Sequence, residues 1–191
     1  MSHKPSKLER DVEILAAMGG EMNEYLRHEV LFWPLTQGNM PRLTLGGFFL
    51  RVHRLTALSL LLTPAEQNQV RQAMDEFAAA SQGYTVIVEQ KAHEEIATRL
   101  RQWQATLREW QEAVPTAPVY AANIEGRAIL AALLARMSLP PFQLDPQLTE
   151  RMKGLDQLLR GRWRSGSFVW PEEWLPAYPQ VNYWWLYGLP G

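Results

Sequence analysis

Residues 85–113 read TVIVEQKAHEEIATRLRQWQATLREWQEA. Val86, Glu89, His93, Ile96, Leu100, Trp103, Leu107, Trp110 and, just beyond, Val114 recur at steps that alternate between three and four. Sustained spacing of that kind marks a helix that turns one seam toward other helices. Pro115 and Pro118 are expected to end it. A long seamed helix needs partners, and the rest of the chain supplies them.

Upstream, Ser6 with Glu9 three residues on forms a capping-box signature. Leu8, Val12, Leu15, Gly19, Met22 and Leu26 follow as an apolar stripe that runs to about Glu29. A linker, LFWPLTQGNMPR, carries Pro34, Gly38 and Pro41 as breakers and two aromatics, Phe32 and Trp33, suited to packing on the body. Thr44 caps a second helix to about Leu62 that is apolar on most sides, and such a helix belongs in the middle of a fold. Gly46 and Gly47 suit close packing at its start. Thr63, Pro64 and Glu66 open a third helix with the stripe Val70, Met74, Phe77 and Ser81. Downstream of the long helix, Val119 to Met137 reads as an Ala- and Leu-rich fifth helix, stopped by Pro140 and Pro141. Asp145 caps a sixth, about Pro146 to Arg160, with Leu148, Met152, Leu155 and Leu159 inward. No period-2 run stands out. Residues 85–88 alone have β-branched density, and they are flanked by helix.

The expected fold is therefore all-α, an antiparallel bundle of about six helices, organised as a single domain over 1–191. The bundle occupies 6–162. Residues 163–191, WRSGSFVWPEEWLPAYPQVNYWWLYGLPG, hold five of the eight tryptophans and form an aromatic, proline-rich C-terminal arm expected to pack on the bundle.

Composition narrows the function classes. The 191 residues are 47% hydrophobic and 20% charged, which is globular and not disordered. The 19 basic and 20 acidic residues give a net charge of −1, against a general nucleic-acid binder. No cysteine is present, so disulfides, thiolate chemistry and Cys-ligated metal centres are excluded, and a reducing compartment is compatible. The first 15 residues have no apolar signal core, and no secretion signal is read. The apolar stretch Leu43–Leu62 approaches membrane length, but Arg51, His53 and Arg54 stand in its middle, so a buried helix is expected rather than a span.

Two irregularities interrupt the apolar pattern. Glu89 and His93 occupy seam positions four apart and so share a face; Glu24 and His28 repeat that spacing on the first helix. Di-iron bundles use Glu-x-x-His, which neither pair matches, so the expectation is a Glu–His pair satisfied by protein groups, with no metal and no cofactor. The second irregularity is polar. Arg51, His53 and Arg54 lie in the second helix, and Asn123, Glu125 and Arg127 in the fifth. Buried charges need partners, and Glu89, Glu94, Glu95, Glu125 and Asp156 are the candidates. Such a set is either a structural ion-pair network or an anion site built from Arg51, Arg54, Glu89, His93, Glu125 and Arg127.

Catalytic motifs are lacking. There is no Gly-x-Ser-x-Gly elbow, no Gly-x-Gly-x-x-Gly, and Leu45-Gly46-Gly47-Phe48 lacks the Lys-Ser/Thr ending of a phosphate loop. Trp170, Trp174, Tyr183, Trp184, Trp185 and Tyr187 either wrap the bundle or offer an interaction surface, since aromatics are enriched in both. The function expected is a non-catalytic interaction or scaffold protein of the cytoplasm, with a protein partner or a second copy of itself. The alternative is a bundle enzyme or ligand binder with a polar internal site.

Overall fold

The computed structural model describes residues 6–191. It is predominantly all-α: among the described residues there are seven α-helices and one two-stranded sheet. Among the described residues no helix is long and apolar enough to cross a membrane.

Helix α1 (Lys7–Arg27) starts at Ser6, whose hydroxyl accepts from the Glu9 amide while the Glu9 carboxylate accepts from the Ser6 amide. It ends two residues earlier than expected, because His28 is extended. Its whole stripe from Leu8 to Leu26 is buried. The linker folds back on α1 as anticipated: Trp33 Nε1 and the Thr36 amide both donate to Glu21.

Helix α2 (Leu45–Ala57) is capped by Thr44 and packs against α1, α3 (Pro64–Ser81), α4 (Thr85–Glu112) and α6 (Glu125–Met137). It stops sooner than its apolar pattern implies and passes into a single 3-10 turn, Ser59–Leu61, which leaves Leu60 and Leu61 in solvent. In α3 the buried face is Val70, Ala73, Phe77 and Ala80, so Met74 turns outward.

The seam of α4 differs from the expected one at both ends. Ile96, Leu100, Trp103, Leu107 and Trp110 are buried, but Val86 and Val114 are exposed, and the N-terminal half buries Val88, Lys91, Ala92 and Glu95 instead. A straight helix drifts about 20° per heptad against a strict 3–4 spacing. Toward the N-terminus of the helix the buried face therefore walks off the seam read from sequence, while Val114 lies two residues past the helix end at Glu112.

The expected fifth helix is two. Helix α5 (Ala117–Asn123) and α6 meet at Ile124, which closes one and opens the other. Pro118, read as a terminator, lies in the first turn of α5, where a missing amide proton costs nothing. Helix α7 (Pro146–Arg160) is capped by Asp145 and buries Met152, Leu155 and Leu159.

The arm holds the sheet that the sequence did not announce. Strands β1 (Trp163–Phe168) and β2 (Tyr187–Pro190) pair antiparallel, with an irregularity between Ser165 and Phe168. The run WRSGSF is mostly exposed and has no alternation to read. Gly188 sits at φ 145, and a Cβ there would collide with the Arg164 carbonyl oxygen. Between the strands, 3-10 segments Glu172–Ala177 and Trp184–Leu186 lay aromatics on the body. One contiguous apolar cluster runs from Leu8 to Leu186 and so includes the arm.

Close approach at the centre depends on Gly46. A Cβ there would run into Ile129 Cγ2 of α6 and come within 2.6 Å of Glu95 Oε1 and 2.8 Å of Leu133 Cδ1. Gly46→Ala is therefore expected to destabilise by about 1–3 kcal/mol, the range for overpacking. Gly126, which has nothing within 4 Å of its Cβ position, serves as control: Gly126→Ala is expected to stabilise by about 0.4–1 kcal/mol through the unfolded chain. Urea unfolding of both variants checks the pair.

Candidate functional site

Three places receive the polar residues singled out in the sequence, and they do not merge into one site.

The first lies where α1, α2 and the arm meet. Asp11, on α1, is 6% exposed. Its Oδ2 accepts from Arg54 Nη1 at 2.5 Å, and its Oδ1 stands 3.3 Å from Arg51 Nε in an ion contact whose angle is too poor for a hydrogen bond. Arg51 Nη1 also donates to the Gly47 carbonyl. Arg54 is 1% exposed; its Nε donates to the Tyr178 hydroxyl, and its guanidinium carbon lies 3.6 Å from the Trp174 ring centroid and 5.3 Å from that of Trp170. His53 Nε2 donates to the Ala177 carbonyl at 2.8 Å. That acceptor places the imidazole proton on Nε2, so the Tyr183 hydroxyl 3.1 Å away accepts from the same nitrogen. One turn of α2 thus grips α1 on one side and the arm on the other.

The second place is 29 residues apart in sequence and joins α6 to α7. Arg127 donates from Nε and Nη2 to the two Asp156 oxygens at 2.9 and 2.8 Å. Paired donation of this kind matches guanidinium to carboxylate. The guanidinium also faces the ring of the fully buried Trp185 at 4.8 Å. Glu125 is exposed and acts on Arg51 only through its field.

The third place is at the start of α4. Glu89 accepts from the Gln143 amide at 2.9 Å, and His93 Nε2 accepts from the Asp145 amide at 3.4 Å. Both are half-buried and hold the loop that leads into α7. The equivalent-looking Glu24 and His28 are exposed, with His28 Nδ1 against the Glu24 carbonyl. Among the described residues no three of His, Asp and Glu gather as a metal site would require.

Asp11 is the functional-looking residue that sequence reading passed over. It stands three after Leu8 and four before Leu15, on the apolar stripe itself. An acid in that position announces a buried cation opposite it. Glu95, named as a candidate partner for the arginines of α2, instead accepts from the Gly46 amide at 2.9 Å and from Arg99 at 2.7 Å. There it puts a negative charge at the N-terminus of α2, where the helix dipole favours one.

The arm aromatics are largely engaged on the body. Tyr120 donates to the Trp185 carbonyl at 2.6 Å, Trp170 Nε1 to the Ala121 carbonyl at 3.1 Å, and Tyr187 to the Tyr178 carbonyl at 2.7 Å. Trp184 lies under the Arg160 guanidinium at 4.0 Å and edge-on to Trp163. Burial pushes the Tyr178 hydroxyl up to about 12, with Arg54 opposing the shift. Tyr25, Tyr120 and Tyr183 are raised for the same reason.

A fourth feature was not foreseen. Residues 114–121, between α4 and the end of α5, face the β1–β2 sheet across a cleft of about 690 Å³. Val114, Pro115, Pro118, Phe168 and Leu189 make it apolar; no Asp, Glu or His lines it, and Arg164 is its one charged residue. No family model, curated protein or solved structure matches this chain.

Removing Asp11 leaves two buried guanidiniums without their carboxylate. Asp11→Ala is expected to cost about 3–5 kcal/mol and to free the arm to proteolysis, while Asp11→Leu combined with Arg54→Met recovers much of the loss. Urea melts and limited trypsin digestion read both effects. A second expectation follows from the tyrosines. Their hydroxyls are held neutral in the fold, so their folded pKa exceeds the unfolded value of about 10. This contribution is complete below pH 10 and is lost as pH rises from there toward the folded pKa, about 12 for Tyr178. Stability should fall steeply above pH 10, and Tyr178→Phe should blunt the fall; an alkaline denaturation series monitored by circular dichroism checks it.

Proposed function

We propose that the chain is a non-catalytic binding protein and that the cleft between residues 114–121 and the β1–β2 sheet is its recognition surface. The observation that carries this reading is the cleft's composition: an apolar concavity of about 690 Å³ with one cationic side chain and no Asp, Glu or His side chain in its wall. Ligand sites are commonly concavities of about 300–1,000 Å³, mostly apolar, with a few polar groups that fix orientation. Proton-transfer chemistry needs a positioned acid or base, and this wall offers none.

The charged residues expected at a site support a different role. Arg51 and Arg54 are engaged by Asp11, and Arg127 by Asp156. They read as the fastening of the arm to the bundle, which in turn sets one wall of the cleft. The aromatics Trp170, Trp174 and Trp185 serve that fastening, so they favour a supporting role over a partner surface. A cytoplasmic setting and self-association into a homodimer remain part of the proposal, the second as one way of filling the cleft.

Native mass spectrometry of purified protein tests the reading with Ala117→Trp, an exposed position in the cleft wall. The expected result is a retained mass or a second subunit on the unaltered chain that the variant loses while its melting temperature stays put. Identical spectra for the two proteins, both monomeric and empty, would sink the proposal.

A further inference from the structure

Fastening the arm engages only part of its aromatic surface. Trp170 and Trp174 meet edge to face, 5.7 Å apart and at 83°, and so form a corner. Both are held by the fold: Trp170 Nε1 donates to the Ala121 carbonyl, and the Arg54 guanidinium lies 3.6 Å from the Trp174 centroid. Both rings nevertheless stay partly exposed, and both line a hollow of about 340 Å³. Ala121, Ala122 and Pro171 extend its apolar surface, while Lys7 and Glu125 supply its charges. Ala121 and Val169 also line the larger cleft, so the two concavities adjoin.

Lys7 opens α1 and Glu125 opens α6. The side chain of neither makes an ion pair or a hydrogen bond among the described residues. A helix dipole favours an acid at the first position and disfavours a cation there. The dipole thus accounts for Glu125 but runs against Lys7, whose ammonium stands 5.9 Å from the Trp174 centroid.

Charge narrows what the hollow can take. A cation would meet a Trp174 ring already attended by Arg54 and Lys7. An anion would meet Glu125. A wholly apolar molecule would strip water from Lys7 and Glu125 and return no hydrogen bond. A zwitterion would give up its own hydration for two exposed ion contacts, which return little. What remains is a neutral molecule with an apolar face and a rim that both donates and accepts. A pyranose has that form, with C–H bonds on its faces and hydroxyls at its edge. Its face packs on indole by dispersion. One hydroxyl can donate to Glu125 and another accept from Lys7, both charge-assisted.

We propose that this hollow is a carbohydrate site that holds one pyranose unit on the Trp170–Trp174 corner, with its hydroxyls bonded to Lys7 and Glu125. It is a second site, and it does not rest on the reading of the apolar cleft. The corner is preformed, so binding has no ring to order.

Methyl β-D-glucopyranoside, methyl β-D-galactopyranoside and methyl α-D-mannopyranoside are the probes, titrated onto the full chain and followed by saturation-transfer difference NMR. At least one is expected to bind saturably in the millimolar range, with its ring C–H protons receiving more saturation than its methyl group. Cyclohexanol, which keeps a ring but only one hydroxyl, should bind at least tenfold more weakly, and choline should not displace the glycoside. Glu125→Gln should weaken binding about fivefold, because a charged acceptor becomes a neutral one. Lys7→Met should weaken it by a similar factor. Ala122→Leu, which fills the hollow from an exposed position, should abolish it. Circular dichroism of each variant separates lost binding from lost fold. Saturable binding by none of the three glycosides would overturn the proposal. So would equal binding of cyclohexanol, displacement by choline, or unaltered affinity in both Glu125→Gln and Lys7→Met. An equal loss in Ala117→Trp, which fills the cleft instead, would move the binding there and overturn this site.

Discussion

Asp11 is one carboxylate facing two guanidiniums, and burial of that trio requires more than ion pairing. Removing charges from water costs several kcal/mol each after relaxation, of the order that a well-formed pair returns. Here the cations outnumber the anion within the buried layer. The surplus positive charge is met by ring faces: Trp174 at 3.6 Å from Arg54, with Trp170 and Tyr178 around it. Cation–π contacts of desolvated groups are worth about 2 kcal/mol or more, so the rings supply what a second acid would otherwise have to. The arm brings two of its five tryptophans, Trp170 and Trp174, to this role. It closes the electrostatics of α2 as well as adding apolar area.

The same constraint orders the rest of the bundle. Arg51 and Arg54 can reach Asp11 only if α1 and α2 come close. Gly46 allows α6 to meet the start of α2, and Gly19, whose Cβ would lie 2.8 Å from the Ala73 Cα, allows α3 to meet α1. Once α2 is enclosed, its first turn has buried amides, and Glu95 from α4 satisfies that of Gly46. Glycine, charge and cap are therefore parts of one arrangement: a polar helix segment placed at the centre of an apolar body, with its charges divided among α1, α4 and the arm.

How legible this was follows from sequence separation. The caps at Ser6, Thr44, Thr63 and Asp145 were read directly, because cap and amide lie within three residues of each other. The inward stripe of α1 was legible for the same reason. The seam of α4 was legible from Ile96 to Trp110 and lost toward its N-terminus, where helical drift accumulates. Partner choice was not legible. Asp11 and Arg54 are 43 residues apart and Arg54 and Tyr178 are 124 apart, and nothing in a periodicity ranks Asp11 above Glu95 or Glu125 as the acid for an arginine. The sheet was missed because its first strand has neither alternation nor β-branched residues. The cleft was missed because its walls are far apart in sequence: it is the gap left between the chain from Val114 into α5 and a two-stranded sheet more than 40 residues later.

That origin bears on what the cleft can do. A groove bounded by helices would close if their apolar faces could slide together. This one cannot close in that way. Pro115 and Pro118 fix backbone angles on one side, and the sheet on the other side is anchored to Tyr120 through Trp163 and Trp185, and to Tyr178 of the charged layer through Tyr187. Each wall is held by contacts that have nothing to do with the opening between them. The buried arginines thus act at a distance on the cleft: they hold the arm, and the arm holds β1, one of its walls. A preformed concavity avoids the ordering cost that a flexible one must meet on binding. In this fold the polar irregularities of the helices fasten the arm, and the plainest stretch of the chain, the small residues and prolines from Val114 through the first turns of α5, lines the cleft that the arm leaves beside it.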